Sequence, residues 1–303
     1  KQRRAFNMKN YIDFLGYFKF LFPITLILTG LSIFVWFERG DEKWGLDFTG
    51  GHEVVVRVAK GTDAEQIRSI LTGDPIVQSY ELGSSEFSIR VGDDSSDSSK
   101  VVNEITTALK SQSWGENLEI LKSDFVGPTV GHELRTQALM ASIIGILAIL
   151  LYVTIRFEFA FALGAIVALL HDVTLALGIY LLSGYTMSMG TIAGILTIVG
   201  YSVNDTIVIF DRIREEIMSR RSYNLYDVMN ESINKLLRRT LITNGLTLFS
   251  ALALFLFGGG SLQDFTIFLV LGVLIGTYST VYVAAPVVLA WHKFRGGKIE
   301  VVE

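Results

Sequence analysis

Cysteine is missing altogether from these 303 residues, and charge is scarce, at 18% Asp, Glu, Lys and Arg. The first absence excludes disulfide stapling and thiol chemistry. The second, beside 50% hydrophobic residues gathered in long blocks, excludes an ordinary soluble globule and points to a membrane protein. Histidine is almost as rare. In the segment between the first two apolar blocks only His52 and, at its edge, His132 occur, with no Gly-rich phosphate loop between a strand and a helix. No catalytic set, metal site or cofactor is therefore expected. The formal net charge of -4 comes mostly from that segment and carries no argument for nucleic acid as a partner.

A helix crossing the hydrocarbon core needs roughly 20 apolar residues. Phe20 to Phe37, Ala138 to Ile155, Phe159 to Leu182, Met187 to Phe210, Leu241 to Phe257 and Phe265 to Trp291 approach that length, which gives six spans. An even number of crossings leaves both ends on one side. Lys1, Arg3, Arg4 and Lys9 before the first span, and His292, Lys293, Arg295 and Lys298 after the last, mark that side as cytoplasmic. Arg212, Arg214, Arg220, Arg221, Lys235, Arg238 and Arg239 fall between spans four and five, where the same topology requires a cytoplasmic loop. For Arg212 and Arg214, anchoring of this topology is the reading. The first span has no small-residue cleavage site and reads as a retained helix, not a signal peptide. The resulting division is 1–37 for the cytoplasmic N-terminus and first span, 38–134 for an outer domain, 135–292 for spans two to six with a cytoplasmic loop at about 211–239, and 293–303 for a cytoplasmic tail.

Within the outer segment, where acids such as Asp41, Glu42, Asp93, Asp94 and Asp97 exceed bases, the pattern alternates. Glu53 to Val58 reads as a strand; Thr62 and Asp63 offer caps to a helix over Ala64 to Leu71; Ile76 to Leu82 and Glu86 to Val91 read as strands joined by Gly83, Ser84 and Ser85. Val101, Val102, Ile105 and Leu109 mark a second helix, and Leu118 to Phe125 a fourth strand. The order βαββαβ is that of a ferredoxin-like α+β domain inserted into an all-α six-helix transmembrane bundle. Its expected use is contact with another polypeptide through an edge strand or an open sheet face.

Ionisable residues inside spans are costly and usually functional. His171 and Asp172 lie midway along span three, where they either carry or orient a proton or form a structural pair. Asp205 lies about 9 Å inside the apolar end of span four, and Arg239 stands at the start of span five, placed to meet it. Gly194, Thr197, Tyr201 and Asp205 recur at three- and four-residue steps and share one face. Asn204 and Thr206 flank the carboxylate, while Thr240, Thr243 and Asn244 continue past the arginine, enough hydroxyls and amides to hold a file of water. The alternatives for Asp205 and Arg239 are proton handling and a buried structural ion pair. Gly190 with Gly194, and Gly272 with Gly276, have the small-xxx-small spacing that permits close helix packing.

Six motifs in order then resemble one family. Gly45-Leu-Asp-Phe-Thr-Gly-Gly51, Val126-Gly-Pro-Thr-Val-Gly131, Arg156-Phe-Glu158 with His171-Asp172, the run Gly200 to Glu215, Arg239 to Thr243 and Gly276-Thr-Tyr-Ser279 are similar to the signatures of the SecF branch of the SecD/SecF family of bacterial protein translocase subunits. The likeness runs from Trp44 to Ala285. It implies a SecD partner with a similar six-span core, kinship with proton-driven transporters of the resistance-nodulation-division superfamily, and a place in the bacterial inner membrane beside the SecYEG channel, with YajC and YidC as further associates. It also implies pulling or retention of a translocating preprotein on the outer side, driven by the proton motive force. Asp205 and Arg239 match the positions to which the family assigns proton transport. Gly50, Gly51, Gly127 and Pro128 belong to its motifs and suit either a hinge or a fixed turn where span meets domain. Val203, Arg238 and Asn244 are places where relatives differ, and no family role is read into them.

If Arg239 moves toward and away from Asp205, the proton affinity of the carboxylate switches. Each proton entering releases about 2.3 kcal/mol per 100 mV of membrane potential. Two rival classes are an exporter of small molecules or lipids, which needs a larger outer domain, and a non-transporting scaffold of the translocon. Reporters fused after Lys298 and within Arg212 to Lys235 are expected to read cytoplasm, and one within Asp93 to Ser99 the outer compartment; a cytoplasmic reading at the last site would overturn six spans.

Overall fold

The computed structural model describes residues 12–73, 75–79, 85–92, 97–115, 117–258 and 260–296. The basic residues Lys1, Arg3, Arg4, Lys9 and Lys298, the acids Asp93 and Asp94, and the hairpin residues Gly83 and Ser84 lie outside them. In chain order the elements are α1 (Phe18–Glu38), α2 (Leu46–Thr49), β1 (Gly51–Arg57), α3 (Ala64–Arg68), β2 (Ile76–Ser79), β3 (Glu86–Val91), α4 (Ser98–Lys110) and β4 (Glu119–Val126). They continue with α5 (Pro128–Arg156), α6 (Phe159–Leu182), α7 (Met189–Met218), α8 (Leu225–Phe257), α9 (Gly260–Ser279), a π-helical stretch Thr280–Ala284 and α10 (Ala285–Phe294). Among the described residues six helices are long and apolar enough to cross a membrane, the sixth running from Leu262 to Phe294 through α9, the π-helical stretch and α10. The chain divides into two compact units: Lys1–Glu38 with Ile144–Tyr180 and Ala193–Glu303, and Arg39–Ile143 with Leu181–Ile192.

In the first unit α6 and α7 are central, with 56% of each spanning window buried against 11% for α8. Glycine decides where the helices touch. A Cβ on Gly178 of α6 would overlap Ser32 of α1, one on Gly194 of α7 would reach Phe268 Cβ at 2.5 Å, and one on Gly164 of α6 the Ala284 carbonyl at 2.8 Å. The π-helical stretch has a cause in sequence. Pro286 has no N–H to offer the carbonyl four residues earlier and its ring crowds that position, so the helix widens by a residue just before it.

The segment 211–239, expected as a cytoplasmic loop, is mostly helix. α7 runs on to Met218 and α8 begins at Leu225. The extension is held by ions from both helices: Glu216, 8% exposed, accepts from Arg212 at 2.6 Å, Arg220 at 3.0 Å and Lys235 at 2.6 Å, and Glu231 accepts from Arg220 at 2.6 Å. Arg214 approaches Glu158 at 4.0 Å and Arg156 approaches Asp211 at 3.5 Å, so these charges tie α7 to the turn between α5 and α6. The chain entering α1 docks on the same hairpin. The Asn234 amide takes both backbone groups of Ile12, N–H at 3.0 Å and C=O at 2.8 Å, and Asn230 Oδ1 accepts from Leu15 N at 3.1 Å. The Tyr226 hydroxyl, with Asn230, holds the Asp13 carboxyl below its usual range.

The second unit is built on a four-stranded sheet in the order β2-β3-β1-β4, antiparallel throughout. Alternation in β1 and β3 sends Val54, Val56, Phe87 and Ile89 to one face, where register pairs Val54 with Ile89 and Val56 with Phe87. Ile67 of α3 and the i, i+4 series Val101, Ile105, Leu109 of α4 close over them, all 3% exposed or less. Each such side chain stabilises the fold by about 1.5–3 kcal/mol on burial. Asp63 and Gln66 form a capping box on α3, and Asp97 caps α4 through Lys100 N. α3 stops at Arg68, short of the expected Leu71, because the chain turns through Gly73 at φ 90°. The opposite face is charged: Arg57 bridges Glu86 at 2.8 Å and Glu119 at 2.5 Å, and Glu53 meets Arg90 at 3.0 Å. β4 begins at Glu119 and is an outer strand, with Ile120 and Leu121 exposed. A fragment from Gly50 to Val126 carries this whole core and is expected to fold alone; Ile89→Ala should then lower its stability in urea by about 2–5 kcal/mol. A collapsed amide spectrum for the parent fragment would contradict this.

Candidate functional site

Two buried carboxyl groups stand among neutral donors in the first unit. Asp205 on α7 is 9% exposed, and its Oδ2 accepts from Asn244 Nδ2 of α8 at 2.6 Å. The other Asn244 N–H goes to Thr277 Oγ1 of α9 at 2.6 Å. Asn244 Oδ1 accepts from the Tyr201 hydroxyl at 2.8 Å, which also lies 3.1 Å from Thr247 Oγ1. One amide thus joins three helices at the carboxylate. Tyr201 and Asp205 reach it because they are four residues apart on α7 and share a face.

Asp172 on α6 is fully buried. Its Oδ1 lies 2.9 Å from His171 Nδ1, while Oδ2 accepts from Ser202 Oγ of α7 and from Ser279 Oγ of α9 at 2.8 Å. His171 Nε2 is buried and has no partner among the described residues. The two clusters are adjacent along the chain, since α7 supplies Ser202 to one and Asp205 to the other, and α9 supplies Ser279 and Thr277. Thr206 Oγ1 lies 3.1 Å from Thr280 Oγ1, at the start of the π-helical stretch, and Thr280 also bonds back to Gly276 O at 2.9 Å. The contact depends on glycine: a Cβ on Gly272 would overlap Ile198 Cγ1, and one on Gly276 would lie 3.3 Å from Ser202 Cβ. The arrangement meets each carboxyl with hydrogen bonds from neighbouring helices and places neither lysine nor arginine in contact with it.

The expected meeting of Asp205 with Arg239 is corrected. No ion pair joins them; Arg239 is exposed, and the hydrogen-bond partner of the carboxylate is Asn244. The reason is helical phase, because residues 239 and 244 are five positions apart and project about 140° apart around α8. Asn204 and Thr243 are also exposed, and the Thr243 hydroxyl is spent on Arg239 O at 2.9 Å. The structure therefore gathers Asp205, Tyr201 and Asn244 in one place and His171 with Asp172 in another, with Thr206 beside Thr280, and leaves Arg239, Asn204 and Thr243 apart. Sequence reasoning missed Ser202, Thr277, Ser279 and Thr280 as partners. Their signal was present, a run of hydroxyls at 277–280 after a glycine inside an apolar span.

In the second unit the two glycine motifs interlock. Gly50 has φ 74° and a Cβ there would meet Pro128 Cα at 2.7 Å; Gly51 has φ 114° and would meet Val91 O at 2.6 Å; a Cβ on Gly131 would meet Gly50 N at 2.9 Å. Gly127 has open space around it. Gly50 and Gly51 are thus fixed by close packing, with conformations that other residues rarely adopt.

A bundle with carboxyl groups held by hydroxyls and amides inside its spans, interrupted by an α+β unit after the first span, is the build of a membrane-embedded transport protein. Comparison with known proteins agrees. Residues 106–294 match the family model described as protein export membrane protein SecD/SecF, C-terminal. The protein translocase subunit SecF of Rickettsia typhi (strain Wilmington) is 37% identical over 295 residues, 95% of each chain, and that of Rickettsia prowazekii (strain Madrid E) is 38% identical over 281 residues, 91% of this chain and 89% of the relative. The crystal structure of SecDF, a translocon-associated membrane protein from Thermus thermophilus, is similar with TM-score 0.82 and 35% identity over 95% of this chain. A SecDF structure in a super-membrane-facing form gives 0.68. This chain spans about two fifths of that SecDF chain, 40%. The chain belongs to the SecD/SecF family.

Close approach of α7 and α9 is what makes the clusters, so Gly272→Ala is expected to lower the thermal unfolding temperature in detergent by several degrees. Gly200→Ala, with nothing within 4 Å of the added methyl and a better helix former in place of glycine, should leave it unchanged or raise it. Equal melting of both variants would contradict the packing.

Proposed function

We propose that this chain is the SecF-type half of a proton-driven accessory complex of the Sec translocase, in the bacterial inner membrane with both ends cytoplasmic. SecD supplies the other half, the SecYEG channel delivers the preprotein, and the outer unit acts on that preprotein as it emerges. YajC, YidC and membrane lipid surround the complex. We assign the outer unit to the ferredoxin-like class on its βαββαβ order and its β2-β3-β1-β4 antiparallel sheet. Family membership and likeness to SecDF support the setting.

The observation that carries the proton reading is Asp205 itself, a carboxyl buried inside a span and held by an amide rather than by a cation. A carboxylate locked to arginine in a dry site is hard to neutralise. One held by Asn244 accepts a proton at the cost of a single hydrogen bond. Arg239 is exposed and outside contact; an approach of its guanidinium would favour proton release. Asp172 with His171, and Thr206 with Thr280, extend the same polar layer; Asn204 and Thr243 face outward, where they can line a water path at an interface. Gly50, Gly51 and Pro128 turn the chain where the sheet meets its flanking helices, and Gly127, with room around it, is the remaining hinge candidate.

Asp205→Asn keeps volume and hydrogen bonding but cannot release a proton. In vesicles carrying the chain assembled with SecD, proton flux and proton-dependent secretion should fall to background while assembly persists. Arg239→Lys keeps charge without the planar fork and should retain partial flux. Normal flux in well-assembled Asp205→Asn complexes would sink the proposal.

A further inference from the structure

The two helices that carry the buried carboxyls share one outer loop, the residues between the end of α6 at Leu182 and the start of α7 at Met189. That loop, with the last two residues of α6 and the first four of α7, belongs to the same unit as the sheet, whereas the bodies of both helices belong to the other unit. What holds the loop there is the segment that follows α1.

Its contacts come in sequence order. Arg39 Nη2 donates to the Leu181 carbonyl at 2.7 Å, at the C-terminal end of α6. Met187 N donates to Lys43 O at 2.7 Å and Gly45 N to Met187 O at 2.7 Å, a parallel bridge that pairs Trp44 with Met187. Asp47 Oδ2 accepts from Met189 N at 2.7 Å, one of the first-turn amides of α7 that have no partner within the helix. Charge is placed as the helix dipoles require, a cation on the carbonyl end of α6 and an anion on the amide end of α7. Gly45 is forced, since a Cβ there would stand 2.6 Å from the Met187 carbonyl oxygen. From the other side of the loop Arg90 of β3 bonds the Thr186 hydroxyl. Asp47 itself sits on α2, which leads through Gly50 and Gly51 directly into β1.

We infer that Arg39 and Asp47 are positioning residues of a splint, Arg39 to Thr49, that fastens the outer unit to the shared end of α6 and α7 and transmits displacement between that unit and the Asp172 and Asp205 sites. This rests on the proton-driven reading above. Neither residue touches a carboxyl; each acts through a helix end. Covalent links through α1 and α5 reach the outer unit too, but α1 and α5 carry neither carboxyl, so the splint is the route that includes the helices that do.

The test uses the complex with SecD in vesicles and two readouts. Asp47→Ala removes the acceptor of the Met189 amide, so that amide should exchange with deuterium about tenfold faster, the loss of one hydrogen bond to a charged group, while the Thr191 amide, held by Ser188 Oγ, and the sheet amides of β1 and β3 stay unchanged. Proton flux should fall severalfold with assembly intact. Asp47→Asn, an equally good cap without charge, should restore both. Arg39→Met provides a second break, at the α6 end, with faster exchange of residues 183–185 and the same loss of flux. Unchanged exchange in Asp47→Ala would overturn the splint. Faster exchange with full flux would overturn its coupling role. Absence of flux in the parent complex is a different failure: it sinks the proton reading and the coupling with it, and leaves the exchange difference standing.

Discussion

A carboxyl group inside a hydrocarbon layer has no water to solvate it, and the fold is arranged around meeting that demand from its own helices. Asp172 receives two serine hydroxyls and Asp205 receives an amide, and those donors stand on α7, α8 and α9. Hydrogen bonds to a charged group contribute about 1.5–3 kcal/mol each, and a donor lost from such a site costs as much again in desolvation. The helices must therefore approach closely, which is why Gly272 and Gly276 of α9 face Ile198 and Ser202 of α7 without a side chain between them. The π-helical widening before Pro286 belongs to the same arrangement, because it begins at Thr280, the partner of Thr206.

The facing ends of α7 and α8 are organised by the opposite chemistry. There charge is matched by charge, with Glu216 at the centre of three cations. The cluster extends α7 and α8 as paired rods, and Asn230 and Asn234 pin the chain before α1 to the same hairpin. Arg239 lies between two fixed parts of α8, the asparagines at 230 and 234 and the amide at 244. An approach of its guanidinium to Asp205 therefore requires either a swing of the side chain along the exposed flank or a rotation of α8 that would also strain Asn244. The second route links loss of the amide bond to arrival of the cation.

Much of this was legible in the residues. Apolar runs of spanning length mark all six crossings, and the alternation of Val54 and Val56 against Phe87 and Ile89 marks the sheet, because both signals are local. Helix ends were legible only in part: the charges Asp211 to Glu215 read as a helical extension of span four, but that α7 runs on to Met218 depends on Glu216 finding Lys235 across the hairpin. Asp205 stood out as a charge in an apolar span, and its partner was sought by opposite charge. The partner is Asn244 because the rotational phase of α8 against α7 is a property of packing, which no single-helix pattern carries. Asp47 was hidden for a related reason, since the amide it caps lies 142 residues away, and its motif reads equally well as a turn.

An energetic comparison favours an amide over an arginine at this carboxylate. On the proton-driven reading one proton releases about 2.3 kcal/mol per 100 mV, a bias of about fiftyfold between two conformations. Breaking a buried ion pair by removing one partner costs about 3–5 kcal/mol, more than that proton supplies at 100 mV. Releasing a hydrogen bond between Asn244 and a charged carboxylate costs about 1.5–3 kcal/mol, which the same proton matches. A site meant only to hold helices together gains from the stronger pair. A site that must open and close once per proton works only if the contact it breaks is comparable with the energy delivered, and Asp205 on Asn244, with Arg239 waiting outside contact, meets that condition.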